Sequence, residues 1–292
     1  MSSNGQALSV HIVAGPTAGG KSAFAIALAK KLDGVVINCD SMQIYDGLHV
    51  LTAQPTPEEM NEAPHVLYSV LKPGEPCSAG IWQGMAVREI ERAFAQNKTP
   101  IICGGNGLYI KTLMEGLSPI PETPPEIRER TVQEFEEIGA EKFYEELKKR
   151  DPESAARFHP QHSARTIRAY EVFEATGKKL SDWQKEAKNA PPESWYFEIH
   201  KIMPDREELY RRCDERFVKM IDGGALEEVK NFGACINAGE VPETALLSKA
   251  LGFAHLRDHL AGKITLKQAI SLAQTETRQY AKRQVTWFKN QL

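Results

Sequence analysis

Residues 15–22 read Gly15-Pro16-Thr17-Ala18-Gly19-Gly20-Lys21-Ser22, a complete G-x-x-x-x-G-K-[ST] phosphate loop. The run Val10-His11-Ile12-Val13-Ala14 before it is apolar enough for a buried strand, and Ala23-Phe24-Ala25-Ile26-Ala27-Leu28-Ala29-Lys30-Lys31-Leu32 after it is strongly helix-forming. Strand, loop and helix in that order form the context this pattern requires. The glycines let successive backbone N–H groups turn inward toward phosphate oxygens. The helix N-terminus adds partial positive charge. Lys21 adds a full charge, and the Ser22 hydroxyl is placed to ligate Mg²⁺. A glycine-rich turn without a ligand is the plain alternative, and the flanks weigh against it.

Outward from this loop, short apolar runs at Val10–Ala14, Val35–Cys39, His65–Val70 and Pro100–Cys103 alternate with helical patterns at Ser22–Leu32 and Gly80–Gln96. That alternation predicts an α/β core with a parallel sheet and right-handed crossovers. The character changes at the proline-rich stretch Leu117–Pro125. Charged helical patterns follow at Glu126–Ile138, Ala140–Arg150, Pro152–Arg157 and Ala164–Thr176, the last stopped by Gly177. After Asn189-Ala190-Pro191-Pro192 a strand pattern returns at Trp195–Ile202. Residues 1–118 therefore read as the first part of the core, 119–194 as an all-helical insertion, and 195–292 as core completion with C-terminal helices.

Composition bounds the rest. At 292 residues the chain can bury a full core, and no run of about 18 apolar residues exists to span a membrane. Met1–Gln6 has neither a basic nor an apolar leader region. The 5 cysteines are scattered without a C-x-x-C pair, which argues against disulfides and zinc sites and fits a reducing, cytoplasmic setting. A net charge of −3 does not advertise nucleic-acid binding, although a local basic face would suffice for it.

Val35–Ser41 is an apolar strand ending in Asp40. Three readings stand side by side. Asp40 is a Walker-B carboxylate, or an acid at the C-terminal edge of the sheet facing a second substrate, or a turn cap. Gly104-Gly105-Asn106-Gly107 closes another strand and lets backbone approach a ligand, or makes only a tight turn. Arg212 and Arg216, four apart, share one helix face, which by itself fits a salt-bridged surface helix.

Several segments taken together resemble the tRNA dimethylallyltransferases. They are Gly15–Ser22, Asp40-Ser41-Met42-Gln43-Ile44-Tyr45, Leu51-Thr52-Ala53-Gln54-Pro55, Pro64-His65, Gly104–Tyr109, Arg165–Val172 and Ala281-Lys282-Arg283-Gln284-Val285-Thr286-Trp287-Phe288. They are colinear from about residue 10 to 289. The resemblance implies a nucleotide-kinase-like fold whose phosphate loop holds the diphosphate of dimethylallyl diphosphate. The acceptor it implies is N6 of the adenosine 3′ to a tRNA anticodon, with the helical insertion gripping the anticodon stem-loop. It implies Mg²⁺ as cofactor, a monomer, and no membrane partner. The family usually carries Gly-Thr-Ala-Lys-Pro where this chain has Leu51–Pro55, and Thr where it has Asn106.

On this resemblance Asp40 is the general base, Thr17 bonds the bridging oxygen of the leaving group, and Arg216 reaches the diphosphate with Arg212 as its partner. Gly15, Pro16, Thr17, Ala18, Gly19, Gly20, Lys21 and Ser22 cradle the phosphates, and Ser22 meets the metal. The tRNA contacts fall to Asp40, Ser41, Met42, Gln43 and Asn106. Further contacts fall to Arg128, Ala164, Arg165, Thr166, Ile167 and Arg168 in the insertion, and to Arg278 and Lys282 on the last helix. Ala273, Tyr280, Val285 and Phe288 read as the core side of that helix, and Tyr170, Trp183 and Trp195 as packing residues. His65 carries no chemistry. A phosphate-loop kinase and a non-catalytic RNA-binding nucleotide module are the rival readings. The Lys282–Trp287 segment goes unexplained by the kinase.

Overall fold

The computed structural model describes residues 8–292. The N-terminal segment read as lacking a leader lies outside them. In chain order, β1 (Leu8–Ala14), α1 (Lys21–Leu32), β2 (Gly34–Asn38), α2 (Pro57–Glu62), β3 (His65–Val66), α3 (Ala79–Ala95), β4 (Thr99–Gly104) and α4 (Gly107–Glu115) come first. Then come α5 (Pro125–Ile138), α6 (Ala140–Arg150), α7 (Pro152–Arg157), α8 (Ser163–Thr176) and α9 (Leu180–Trp183). The chain closes with β5 (Trp195–Lys201), α10 (Arg206–Asp222), α11 (Ala225–Asn237), α12 (Phe253–Leu260) and α13 (Leu266–Gln291).

The five strands form one sheet in the order β3-β2-β4-β1-β5, and every pairing is parallel. The central strands β2 and β4 are buried almost throughout, as a parallel sheet covered on both faces requires. Val10, Ile12, Ile37 and Ile102 pack into the larger core, while Val13, Val36 and Ile101 pack against Ala25, Ile26 and Ala29 of α1. Each such fully buried aliphatic contributes about 1.5–3 kcal/mol.

The strand order has a direct consequence for function. It sets the C-terminal ends of β1, β4 and β2 side by side. The phosphate loop, the Gly104–Gly107 turn and Asp40 follow those three ends, so one sheet edge gathers all of them. β3 is shorter than the apolar run His65–Val70 predicts. Leu67 and Ser69 take φ of 64° and 50°, which ends the extended backbone after Val66.

The chain divides into two compact units, Met1–Met114 with Pro191–Leu292, and Glu115–Ala190. The second unit is all helical. Leu117 bridges to Asn189, which draws the residues just before Pro119 into it. Its core joins Tyr144, Leu147, Ala155, Ala169, Val172 and Leu180. Trp183 packs on that core, and Tyr170 is fully buried. Asp151 organises the unit from within. Its carboxylate accepts from Ser154 N at the start of α7 and from both N and Oγ of Ser181.

Candidate active site

Ile12–Ala14 runs through the core and releases the chain at Gly15. Gly20, at φ 97°, then starts α1 in a left-handed conformation that a side chain would strain. Lys21 Nζ donates to Pro16 O at 2.8 Å, folding back over its own loop. Burial pushes the Lys21 ammonium below its ordinary value, the adjacent Arg216 pushes the same way, and Asp40 opposes both.

Arg216 comes from α10. Its Nη2 donates to Thr17 Oγ1 at 2.6 Å. Burial holds this guanidinium below its ordinary value as well. Two cations held partly dehydrated beside this glycine-rich loop would suit an anion, because low local dielectric magnifies their field. Arg212, one turn earlier, donates from Nε to Glu208 at 2.6 Å and from Nη1 to Gly19 O at 3.3 Å. Arg212 thus pairs with Glu208 on its own helix, as a surface pair would, and also touches the backbone of the phosphate loop.

Asp40 follows the same pattern. Its Oδ1 accepts from Met42 N at 2.8 Å, the turn-capping geometry. Asp40 also lines a cavity of about 280 Å³ shared with Thr17, Ser41, Met42 and Arg216. Among the described residues no hydrogen bond reaches the second oxygen, Oδ2. One oxygen fixes the turn and the other is left out of it. Apolar walls come from Leu51, Phe217, Met220, Ala250 and Leu251. Thr277, Tyr280 and Arg283 of α13 close another side.

Tyr280 corrects the expectation that it faces the core. It lines the cavity, and burial followed by the Asp40 charge pushes its phenol up to about 12. The Arg283 guanidinium lies 5.6 Å from its ring centre. Val285 is only partly buried, whereas Ala273 and Phe288 are core.

Gln284 was given no role by sequence reasoning. It is buried, with Oε1 accepting from Thr17 N at 2.8 Å and Nε2 donating to Gly105 O at 2.9 Å. It therefore ties the phosphate loop to the second glycine turn. A Cβ at Gly105 would lie 2.3 Å from Gln284 Nε2, so the position admits only glycine while that link stands. The signal was present in the sequence. Ala273, Thr277, Ala281, Gln284 and Phe288 recur at helical spacing, and a glutamine in such a stripe needs two partners.

The remaining candidates divide. Ser41, Met42 and Gln43 follow Asp40 around the turn, but Gln43 donates to Thr52 O and Ala53 O and so braces the neighbouring loop. Asn106 Oδ1 accepts from Tyr109 N at the start of α4, a capping task. Ser22 is exposed in the first turn of α1. Lys282 is exposed, while Arg278 is drawn into a close ion pair with Asp214 rather than left free for phosphate. In the helical unit, Ala164 and Arg165 are exposed, and the Arg165 side chain has no partner among the described residues. Thr166 is a correction: it is fully buried and its hydroxyl bonds His162 O, so it cannot present a contact. Ile167 is half-buried. Arg128 and Arg168 both face the buried Glu171, and Arg168 also donates to Thr123. Among the described residues no helix is long and apolar enough to cross a membrane.

Known proteins bear on this geometry. The family model described as IPP transferase matches residues 43–291, and that described as isopentenyl transferase matches residues 8–71. A tRNA dimethylallyltransferase of Paramagnetospirillum magneticum is 46% identical over 281 residues, 96% of this chain and 88% of that one. Its counterpart in Rhodospirillum centenum is 44% identical over 283 residues, 97% of this chain and 89% of that one. The crystal structure of a full-length tRNA isopentenylpyrophosphate transferase from Bacillus halodurans superposes with a TM-score of 0.67 at 31% identity, covering 98% and 88% of the two chains. A eukaryotic dimethylallyltransferase, captured acting on tRNA, superposes with a TM-score of 0.82 at 29% identity, covering 96% of this chain and 69% of that one. With matches of this length and identity, the chain belongs to the tRNA dimethylallyltransferase family.

Proposed function

We propose that this enzyme transfers the dimethylallyl group of dimethylallyl diphosphate to N6 of the adenosine that follows the anticodon in tRNA. The observation that carries this reading is the pairing of an anion cradle with an acid across one cavity. Thr17 and Arg216 line the cavity together with Asp40, and Lys21 lies near enough to feel the charges of both Arg216 and Asp40.

The amine on adenine is a weak nucleophile, because its lone pair is delocalised into the ring. In the transfer the N6–C bond forms as the allylic C–O bond breaks, and that electron pair leaves on the diphosphate. Asp40 takes the N6 proton and orients the amine beforehand. The backbone N–H groups of the loop that Gln284 and Pro16 do not already engage, with Lys21 and Arg216, stabilise the charge growing on the departing oxygens, with the Thr17 hydroxyl at the bridging oxygen. Ser22 offers an exposed hydroxyl oxygen at the loop, a donor that suits Mg²⁺ when substrate phosphates and water supply its other ligands. Bound there, the ion would supply further positive charge to the leaving group.

The base must leave its stack to reach Asp40. Arg128, Ala164 and Arg165 of the helical unit and Lys282 of α13 are offered for the anticodon stem-loop backbone. A monomer is the state proposed for the acting enzyme. All five cysteines are free thiols, which suits the cytoplasm.

Diphosphate release tests the reading. Release should require dimethylallyl diphosphate, Mg²⁺ and an anticodon stem-loop RNA together. Consumption of ATP in place of the prenyl donor, with phosphate passed to a small acceptor, would make the protein a kinase instead.

A further inference from the structure

Three metal-ligating side chains converge where β1 meets the edge strand β5. His11 and Glu198 are register partners, and His200 follows two residues later on the same face of β5. His11 Nδ1 and His200 Nε2 stand 3.0 Å apart. The Glu198 carboxylate oxygens lie 3.7 Å from His11 Nδ1 and 3.5 Å from His200 Nε2. The two rings stack with centroids 5.3 Å apart, and Phe24 of α1 packs against His200. The His11 side chain is 9% exposed and that of Glu198 49%, so the cluster is anchored in the fold and open to water at one end.

Hydrogen bonding accounts for only one of these three contacts, because both carboxylate distances reach or exceed its limit. One donor atom from each of the three residues lies within 4.8 Å of the others. A tetrahedral ion with bonds of about 2.0–2.1 Å needs ligand atoms roughly 3.3 Å apart, a spacing that small side-chain adjustments on these two strands would reach. We propose that His11, Glu198 and His200 form a binding site for a divalent transition cation of the zinc class, with a fourth position left to water. Two imidazoles and a carboxylate are the donor set such an ion accepts.

None of the three lines the active-site cavity. The ion acts as a cross-link, pinning an edge strand that is hydrogen-bonded on one side only to the strand that leads into the phosphate loop.

The test is calorimetric titration of the chelator-treated full-length protein with ZnCl₂, alongside thermal unfolding, for wild type, His200→Ala and Glu198→Gln. One Zn²⁺ should bind per chain, and affinity should fall at least about tenfold in each variant, since even the outer-shell partners of a ligand matter by that much. Zinc should raise the wild-type Tm by roughly 2–4 °C or more, and less in either variant. Co²⁺ should give the visible bands of a tetrahedral site without the thiolate charge-transfer band of a cysteine site. Glu198→Gln alters an exposed carboxylate and keeps the variant set informative if His200→Ala folds poorly. Equal zinc affinity in wild type and Glu198→Gln, a thiolate band, or no binding by folded wild type would each overturn the site.

Discussion

Thr17 Oγ1 accepts a 2.6 Å hydrogen bond from Arg216 Nη2, joining the phosphate loop to α10 across 199 positions of sequence. The bond aims one arginine at the point where the leaving oxygen of the donor is proposed to sit. Arg216→Ala should lower kcat by about 10²–10³, the usual effect of removing one donor to a developing oxyanion. Thr17→Ala should cost less, and the double variant less than the sum of the two. Arg216→Lys should restore little, because a point charge cannot reproduce the fork. Steady-state kinetics of the four forms checks this. Strictly additive losses would show that the two residues act apart.

Asp40 has two tasks that substitution can separate. Asn keeps an oxygen able to accept from Met42 N but cannot act as a base. Asp40→Asn should fold with near-native Tm and lose about 10²–10⁴ in rate, with tRNA affinity largely kept. Asp40→Ala should lose the turn bond as well, at about 1 kcal/mol. Retained turnover in Asp40→Asn, measured alongside tRNA binding, would remove it from the chemistry.

Gln284→Ala leaves Thr17 N and Gly105 O without their partner in a buried setting. It should destabilise by about 1–3 kcal/mol. It should also raise KM for the prenyl donor more than for tRNA, because the link shapes the phosphate loop. Denaturant unfolding and substrate titrations separate the two effects. An unchanged donor KM would leave Gln284 a packing residue only.

In the helical unit, exposed arginines are not equivalent. Arg165 is unpartnered among the described residues, whereas Arg168 bonds Thr123 and Glu171. Arg165→Ala should weaken tRNA binding and reduce the salt slope by about one unit. Arg168→Ala should show mainly a stability loss. Binding isotherms across a salt series distinguish them, and an unaltered slope for Arg165→Ala would point its side chain away from RNA.

Asp151 gives the helical unit an acid-sensitive tie. Burial alone would raise its pKa, but hydrogen bonds from Ser154 and Ser181 outweigh that and hold it below the ordinary value of 3.8. A folded-state pKa below the unfolded one gives stability that is present above the unfolded value and lost as pH falls through the folded one. Acid unfolding monitored below about pH 4 should therefore show a step that Asp151→Asn lacks. At neutral pH, Asp151→Ala should cost about 2–4 kcal/mol. Identical acid profiles for wild type and Asp151→Asn would contradict this.

Much of the fold was legible because its signals are local. The loop pattern fixed β1 and α1, and period and stop residues located α5 to α8 to within a residue or two. The end of β3 was not legible, because positive φ at Leu67 and Ser69 leaves no trace in an apolar run. Nor was the double use of Asp40 and Arg212, since a capping bond and a cavity-facing atom on one side chain are properties of assembled structure. Tyr280 was misread from helix periodicity, which says that a residue faces inward but not whether core or cavity lies there. Gln54, where the family usually has lysine, donates to Tyr45 O and accepts from Ser69 Oγ, so it braces the loop. Leu51, another departure, forms a cavity wall.

Mass spectrometry of nucleosides released from tRNA tests the central claim most directly, after incubation with the protein, Mg²⁺ and dimethylallyl diphosphate. The account predicts one adenosine per tRNA gaining a C₅H₈ unit on its base, and no such gain with Asp40→Asn. Unmodified tRNA, together with ATP turned over in the same loop, would contradict it.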